Sequence, residues 1–259
     1  MNRALVLTYH AIGDGDGSLF VDPASFAAHL DLIAACGVDA VTVSELVSRL
    51  RAGALVRPVV AVTFDDGMAS VPRIAAPLLI ERGLPATVFA VSGHLGGTSD
   101  WETARPGSPA LALAGAEELA ELVLQGFEIG CHGMTHAPLD TGGEAFLRQE
   151  LIEAKDSLEQ QVGAPVTAYA YPYGAGPAGD ALKLAEAAYE SAWTTRADYI
   201  RGTDDLHRAP RVDAHYVRRP ARLRAALEGS LGRYLGVRRL GAHARRALRR
   251  DYAVAGGAR

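Results

Sequence analysis

Two polar clusters in this chain have the residue types and the spacing to bind and use a metal ion. Asp65 and Asp66 directly follow the apolar run VVAVTF, and His132 and His136 follow the run FEIGC. Two imidazoles and one carboxylate are a known ligand set for a catalytic divalent metal, and they leave positions open for water. In a helical turn, the spacing of four would place both imidazoles on one face.

The adjacent carboxylates of Asp65 and Asp66 repel each other, so their surroundings must supply positive charge. A metal would keep both ionised, with one carboxylate bound to it and the other free to accept a proton. Each cluster also has a simpler explanation, because Asp-Asp-Gly is common in turns and helix caps and two histidines can lie in a polar loop. Their shared position after strand-like runs favours the metal site.

Strand-like and helix-like segments alternate along most of the chain and must position these clusters. Strands are predicted at 4–9, 38–43, 59–64, 85–91, 127–131, 165–171, 191–195 and near 208–213. Helices are predicted at 23–37, 44–53, 73–83, 116–126, 144–162 and 178–190, with a long loop over 92–114. This alternation predicts an α/β fold with a parallel sheet closed, or nearly closed, into a single-domain barrel. Reactive groups in such folds follow the carboxyl ends of the strands, where both clusters fall.

Length and composition are typical of one soluble globular domain. The chain has 259 residues, of which 49% are hydrophobic and 22% charged. Cys36 and Cys131 are too few for a disulfide framework and favour a reducing compartment, with a single disulfide left open. The first apolar run is too short for a signal peptide, and no segment approaches 18 uninterrupted apolar residues. We therefore expect a cytoplasmic protein.

The net charge of −4 hides an acidic body and a basic tail. Residues 1–217 carry 14 Lys and Arg against 28 Asp and Glu, whereas residues 218–250 carry 11 Arg and one acid. We expect a barrel domain over 1–216 and an Arg-rich, partly helical extension over 217–259. Leucines recur every fourth residue in this extension, at Leu223, Leu227, Leu231 and Leu235. They fit packing on the barrel, and the alternative is peripheral contact with an anionic membrane. Nucleic-acid binding is not expected, because the acidic body opposes it.

Three motifs, TFDDG (63–67), HGMTH (132–136) and YPYG (171–174), together resemble the polysaccharide deacetylase family, also called the NodB homology domain. The resemblance spans about residues 4–213. It implies a deformed (β/α)7-type barrel that hydrolyses N- or O-acetyl groups, usually on amino sugars, with a divalent metal. Zinc is the expected metal, and cobalt, nickel or iron would also fit two imidazoles and one carboxylate.

The resemblance also implies roles for individual residues. Asp65 would be the general base, and the backbone N–H of Tyr173 would help to hold the developing oxyanion. Pro172 and Gly174 would shape the turn around Tyr173. The implied metal ligands are Asp66, His132 and His136.

Three departures from the usual family pattern affect these assignments. Gly133 stands where the family usually has Ser or Thr, which removes a hydroxyl that would support the metal ligands. Ala170 stands where many members carry an Arg that orients the catalytic Asp, and Arg211 is a candidate substitute. The late Leu-x-x-His segment that usually supplies the general acid is missing, and His207 lacks its context. The segment LTYHAI instead resembles the start of a circularly permuted branch of the family, so we assign the general acid to His10.

The expected function is metal-dependent removal of N-acetyl groups from an amino-sugar-containing carbohydrate, either a poly- or oligosaccharide or a lipid-linked sugar. Trp101 is a candidate platform for stacking on a sugar ring, with packing on its own loop as the alternative. Tyr9 is expected to line the same cleft, and Pro172 and Arg211 complete the predicted substrate-binding set. The alternatives are a deformylase or amidohydrolase acting on a small or lipid-linked substrate, and an inactive carbohydrate-binding relic. The oligomeric state is left open.

Overall fold

The computed structural model describes residues 3–15, 17–101, 110–140, 142–174 and 178–239. The strands are β1 Arg3–Tyr9, β2 Ala11–Ile12, β3 Phe20–Val21, β4 Asp39–Val41, β5 Val59–Phe64, β6 Thr87–Ala90, β7 Glu128–Cys131, β8 Ala168–Ala170, β9 Ser191–Trp193, β10 Ile200–Arg201 and β11 Val212–Asp213.

Helices follow most of the strands. They are α1 Pro23–Ala35, α2 Val43–Arg51, α3 Ala76–Glu81, α4 Ala116–Leu124, α5 Glu144–Arg148, α6 Ala154–Val162, α7 Gly179–Ala188, α8 Ala214–Val217 and α9 Pro220–Leu227. Local sequence explains where α1 begins, because the Asp22 carboxylate accepts a hydrogen bond from the Ser25 backbone N–H at 2.8 Å and Pro23 takes the first helical position. One π-helical turn at Val71–Ala75 leads into α3, and another at Gln149–Glu153 joins α5 to α6.

Parallel strands form a curled sheet in the order β1-β5-β6-β7-β8-β9. The segment after residue 208 joins the two ends of this row. Ala209 forms a parallel bridge with Trp193 at the end of β9, and β11 pairs in parallel with β1. The seven strand positions confirm the predicted single-domain α/β fold and its deformed (β/α)7-type barrel.

The two faces of β1 belong to two different parts of the core. Leu5, Leu7 and Tyr9 pack in the larger hydrophobic cluster, which includes α1, whereas Ala4 and Val6 pack in a smaller cluster on the other face of the sheet. Side chains alternate along a strand, so neighbouring residues are committed to opposite sides. This alternation decides which residues at the end of β1 can reach the site.

Several strands are shorter than predicted, and three were not predicted. The β-structure over 38–43, 85–91, 165–171 and 191–195 narrows to three or four residues in each case, because the flanking residues lie outside the paired ladders. Strands β2, β3 and β10 have two residues each, which is too short to show a periodic pattern. Strand β10 runs antiparallel to β1.

The first part of the C-terminal extension packs on the barrel. Helix α9 contacts α1, and Leu223, Leu227 and Leu235 are buried in the same cluster as the barrel core, with Leu231 half-buried. Packing on the barrel therefore accounts for the leucine repeat, which is the first of the two interpretations given for it. The Arg-rich residues 240–259 lie outside the described residues, so membrane contact through them stays a prediction, as does the division at residue 216. Across the described ranges, no helix is both long enough and apolar enough to span a bilayer.

Candidate active site

The carboxylates of Asp65 and Asp66 lie at the carboxyl end of β5 and face different partners. Both side chains are buried, with 3% and 6% of the residue exposed. Asp66 has a left-handed backbone with φ of 71°, which turns its side chain away from that of Asp65. One carboxylate meets an arginine, and the other meets two imidazoles.

Arg211 holds Asp65 through two hydrogen bonds. Its Nη1 donates to Asp65 Oδ1 at 2.6 Å and its Nη2 donates to Oδ2 at 2.8 Å. Its Nε donates to the Thr194 carbonyl, which fixes the plane of the guanidinium. Burial raises the pKa of the Asp65 carboxyl, but the charge and hydrogen bonds of Arg211, together with the positive forms of His132 and His10, outweigh burial and leave this pKa lowered. Asp65 is therefore an ionised carboxylate that can accept a proton.

The Asp66 carboxylate lies between the imidazoles of His132 and His136. Its Oδ1 is 3.3 Å from His132 Nε2 and 3.2 Å from His136 Nε2. Within the described ranges, these three residues form the only cluster of at least three His, Cys, Asp or Glu side chains that could hold a metal. Burial raises the pKa of Asp66, but the hydrogen bonds and positive charge that the imidazoles supply in their protonated form outweigh it and hold this pKa well below the usual range.

The donor atoms of this cluster fit a divalent metal. The ring Nδ1 of His132 lies 2.7 Å from the Ala170 carbonyl oxygen, so Nδ1 carries a proton and donates. In the neutral ring, Nε2 then presents a lone pair to the Asp66 oxygen, and two acceptors in contact need a cation or a proton between them. Two ligand atoms about 2.0–2.1 Å from one ion stand about 3.0–3.4 Å apart at ordinary coordination angles, which matches the Asp66–histidine distances.

The loop between the two histidines is irregular rather than helical. His132 follows β7 directly, Gly133 has φ of 85° and His136 has φ of 59°. The prediction that a helical turn places both imidazoles on one face is therefore wrong. The rings converge, with centroids 5.0 Å apart, because left-handed residues reverse the chain over a short distance.

Two aromatic side chains flank His136. Trp101 stacks on its ring with centroids 4.2 Å apart and an interplanar angle of 24°, and Tyr173 meets it edge-on at 4.8 Å. Trp101 is only 7% exposed, so the face that was expected to receive a sugar covers a histidine instead. Tyr173 is 46% exposed and is the aromatic group at this site that faces solvent.

The other three residues of the predicted substrate-binding set are buried as well. The Tyr9 side chain, 1% exposed, packs on Phe26 and meets the ring Nδ1 of His29 at 3.0 Å. This contradicts the prediction that Tyr9 lines the cleft, since strand alternation commits it to the helix-facing side. Pro172 is also buried, and the buried Arg211 directs both terminal nitrogens of its guanidinium to Asp65. Neither residue therefore offers a surface to a substrate.

His10 lies one residue beyond β1, on the strand side opposite to Tyr9, and is half-buried. Its positive form lowers the pKa of the Asp65 and Asp66 carboxyls, behind the larger effects of burial and of their bonded partners. The structure thus brings His10 into electrostatic range of both carboxylates. Its role as a general acid stays a prediction.

Sequence reasoning missed one residue beside this site, Glu150. Its side chain is completely buried, and its carboxylate accepts hydrogen bonds from Met134 and Thr135 in the loop between the two histidines. The sequence did carry a signal for this burial. In the helical segment 144–162, Glu150 comes three residues after Leu147 and four before Ala154, so helical spacing places it on the same apolar face as these two residues. A Glu on the buried side of a helix is rare unless it has partners.

The chain is similar to deacetylases in sequence and in fold. The family model described as polysaccharide deacetylase matches residues 52–192, more than half of the chain. YxkH of Bacillus subtilis (strain 168), named as a provisional polysaccharide deacetylase, is 26% identical over 210 residues, which cover 78% of this chain and 69% of that protein. BC0361, a polysaccharide deacetylase from Bacillus cereus, is 26% identical with a TM-score of 0.72, over 87% of this chain and 69% of that one. The Streptococcus pyogenes deacetylase PplD, at 24% identity, shares the fold, with a TM-score of 0.70 over 82% of this chain and 92% of its own.

Proposed function

The chain belongs to the polysaccharide deacetylase family, and from this premise we propose that it is a metal-dependent hydrolase that removes N-acetyl groups from an amino-sugar-containing carbohydrate. The observation that carries this proposal is the separation of two adjacent carboxylates. Asp66 faces His132 and His136, while Asp65 is held apart by Arg211. A ligand for a metal and a proton acceptor therefore stand side by side, which is what hydrolysis of an amide by water requires.

Asp66, His132 and His136 would hold the metal. When bound, a divalent metal polarises the acyl carbonyl and makes water easier to deprotonate. The hydrogen bond from His132 Nδ1 to the Ala170 carbonyl keeps the other ring nitrogen, Nε2, directed at the cluster. All three side chains are buried, so the surrounding protein holds their ligand atoms close together.

Asp65 takes the proton of the attacking water in this mechanism. Arg211 keeps its carboxylate ionised and fixes both oxygens, so that the base is oriented before the substrate arrives. The backbone N–H of Tyr173 donates to the oxyanion of the tetrahedral intermediate. His10 then gives a proton to the leaving amine, and acetate and a free amino sugar are released.

Acetate release from N-acetylglucosamine oligomers tests this proposal. We expect turnover by the metal-loaded protein, loss of turnover after chelation, and recovery when zinc or cobalt is added back. Formate release from an N-formyl sugar without acetate release would favour the deformylase alternative. Sugar binding with no acyl release under any metal would contradict the proposal and favour the carbohydrate-binding relic.

A further inference from the structure

Glu150 lies in the π-helical turn Gln149–Glu153, directly behind the loop that joins His132 to His136. The residue is 0% exposed, which is unusual for a carboxylate. Burying a charge is costly unless hydrogen bonds replace its water. The donors that replace this water therefore indicate what the carboxylate is for.

All three hydrogen bonds that the structure shows for the Glu150 carboxylate come from the histidine loop. The Met134 backbone N–H donates to Oε2 at 2.9 Å, and the Thr135 backbone N–H donates to the same oxygen at 3.2 Å. The Thr135 hydroxyl donates to Oε1 at 2.6 Å. Thr135 is the residue directly before His136, so the carboxylate fixes the backbone that carries this histidine.

The opposite side of the loop backbone is bonded to a different segment. The carbonyls of Gly133 and Met134 accept hydrogen bonds from the backbone N–H groups of Ser92 and Gly93, at 3.0 and 3.1 Å. The loop is thus held through its carbonyls by one neighbour and through its N–H groups by Glu150. Without Glu150, two backbone donors in a half-buried loop would lose their acceptor.

Gly133 makes room for this carboxylate. A Cβ atom at position 133 would lie 2.5 Å from Glu150 Oε2, which is closer than a carbon and an oxygen can approach. The backbone of Gly133, with φ of 85°, is also one that other residues rarely adopt. The glycine and the buried glutamate therefore form one arrangement, in which a carboxylate occupies the space that a side chain at 133 would fill.

From these contacts we propose that Glu150 is a positioning residue for the metal site. It holds the loop so that the His136 imidazole faces Asp66, and its removal weakens metal binding through His136. This inference rests on the proposed function, since it assumes that Asp66, His132 and His136 bind a metal.

A calorimetric titration of the metal-free protein with Co²⁺ tests the inference without measuring turnover. Glu150→Met keeps the length of the side chain and removes every acceptor, and we expect it to weaken Co²⁺ binding about 10–100-fold. Glu150→Gln keeps a carbonyl acceptor for the two backbone N–H groups, and we expect an affinity within about threefold of the wild type. Glu153→Met, an exposed position in the same helical turn, is the matched control and should leave binding unchanged.

A double-mutant cycle with His136→Ala separates positioning from a general structural role. If Glu150 acts through His136, Glu150→Met should weaken Co²⁺ binding less than about threefold once His136 is absent. Equal losses in both backgrounds would overturn the inference, as would wild-type affinity in Glu150→Met.

Should Glu150→Met fail to fold, Gly133→Ala displaces the same carboxylate from the loop side, and unchanged Co²⁺ affinity in that variant would overturn the inference. A wild-type protein that binds no Co²⁺ would overturn the proposed function together with this inference, whereas tight binding that ignores Glu150 would remove the inference alone.

Discussion

The substitution Arg211→Met should uncouple the proposed base from the group that keeps it ionised. The guanidinium makes two hydrogen bonds to Asp65, of 2.6 and 2.8 Å, and the two side chains are 1% and 4% exposed. Hydrogen bonds to charged groups contribute about 1.5–3 kcal/mol each. Removing one partner of a buried ion pair typically costs about 3–5 kcal/mol, because the remaining charge has no compensation. We therefore expect Arg211→Met to lower the free energy of unfolding by about 3–5 kcal/mol.

The pH dependence of this loss follows from the pKa of Asp65. Burial raises the pKa of the Asp65 carboxyl, and the surrounding positive charges, of which Arg211 is the largest, more than reverse this, so the folded-state pKa lies below the unfolded-state value. The stabilisation by the pair is therefore present above the unfolded-state pKa and is lost as pH falls through the folded-state pKa. In the variant, burial acts unopposed by Arg211, so the pKa of Asp65 rises. The difference in stability between wild type and variant should be largest near neutral pH and should narrow in acid.

Urea unfolding of the metal-free proteins across pH measures the stability difference, and a profile of kcat/KM against pH measures the base. We expect the acid limb of the variant profile to move to higher pH, since a protonated Asp65 cannot accept a proton. Arg211→Lys keeps the charge without the two-point contact and should fall between the two proteins. Arg51→Met, which removes a solvent-exposed pair with Glu190, is the control and should cost less than about 1 kcal/mol. An unchanged acid limb together with unchanged stability in Arg211→Met would refute the assignment of Asp65 as an Arg211-supported base.

Three further substitutions separate the roles at this site. Asp65→Asn should lower kcat about 10²–10⁴-fold while metal analysis still finds the wild-type metal content, since the metal ligands are elsewhere; metal loss would make Asp65 a ligand instead. His10→Gln should lower kcat within the same range, about 10²–10⁴-fold, with little change in thermal stability, and full activity would exclude His10 as the general acid. Tyr9→Phe should cost about 1 kcal/mol in urea unfolding through the lost bond to His29 and leave KM unchanged, whereas a raised KM would restore Tyr9 to the substrate cleft.

Local signals in the sequence were sufficient to predict many of the helices and strands of the barrel. Asp22 and Pro23 mark the start of α1, and the apolar run that ends at Phe64 is β5 over the predicted range. Strand ends were also sufficient to bring Asp66 and the two histidines together, because parallel strands that lie near one another deliver their carboxyl ends to the same edge. The family resemblance that these motifs carried is confirmed.

The parts that could not be predicted depend on contacts between distant segments. The left-handed backbone of His136 leaves no mark in the sequence, since only a small share of histidines adopt it even though they do so more often than most non-glycine residues. The burial of Glu150 depends on how one helix is rotated against a loop some fifteen residues earlier in the chain. Packing between distant segments also explains why Trp101 stacks on His136 and why Tyr9 points toward Phe26, and no single segment determines that packing.

Within the described ranges, the three non-glycine residues with left-handed φ are Asp66, His136 and Tyr173, and all three lie at the proposed site. Holding a non-glycine residue in this backbone conformation costs about 1–3 kcal/mol of folding stability relative to glycine. Stability therefore favours glycine at these positions, whereas activity requires the side chains of Asp66 and His136. A selection for heat resistance alone would therefore enrich glycine at 66 and 136 and lose the metal ligands in the process. Position 173 is the exception, because its proposed part uses the backbone N–H. Tyr173→Gly should therefore relieve the backbone strain and keep the proposed N–H donor, at the loss of the ring that meets His136 edge-on.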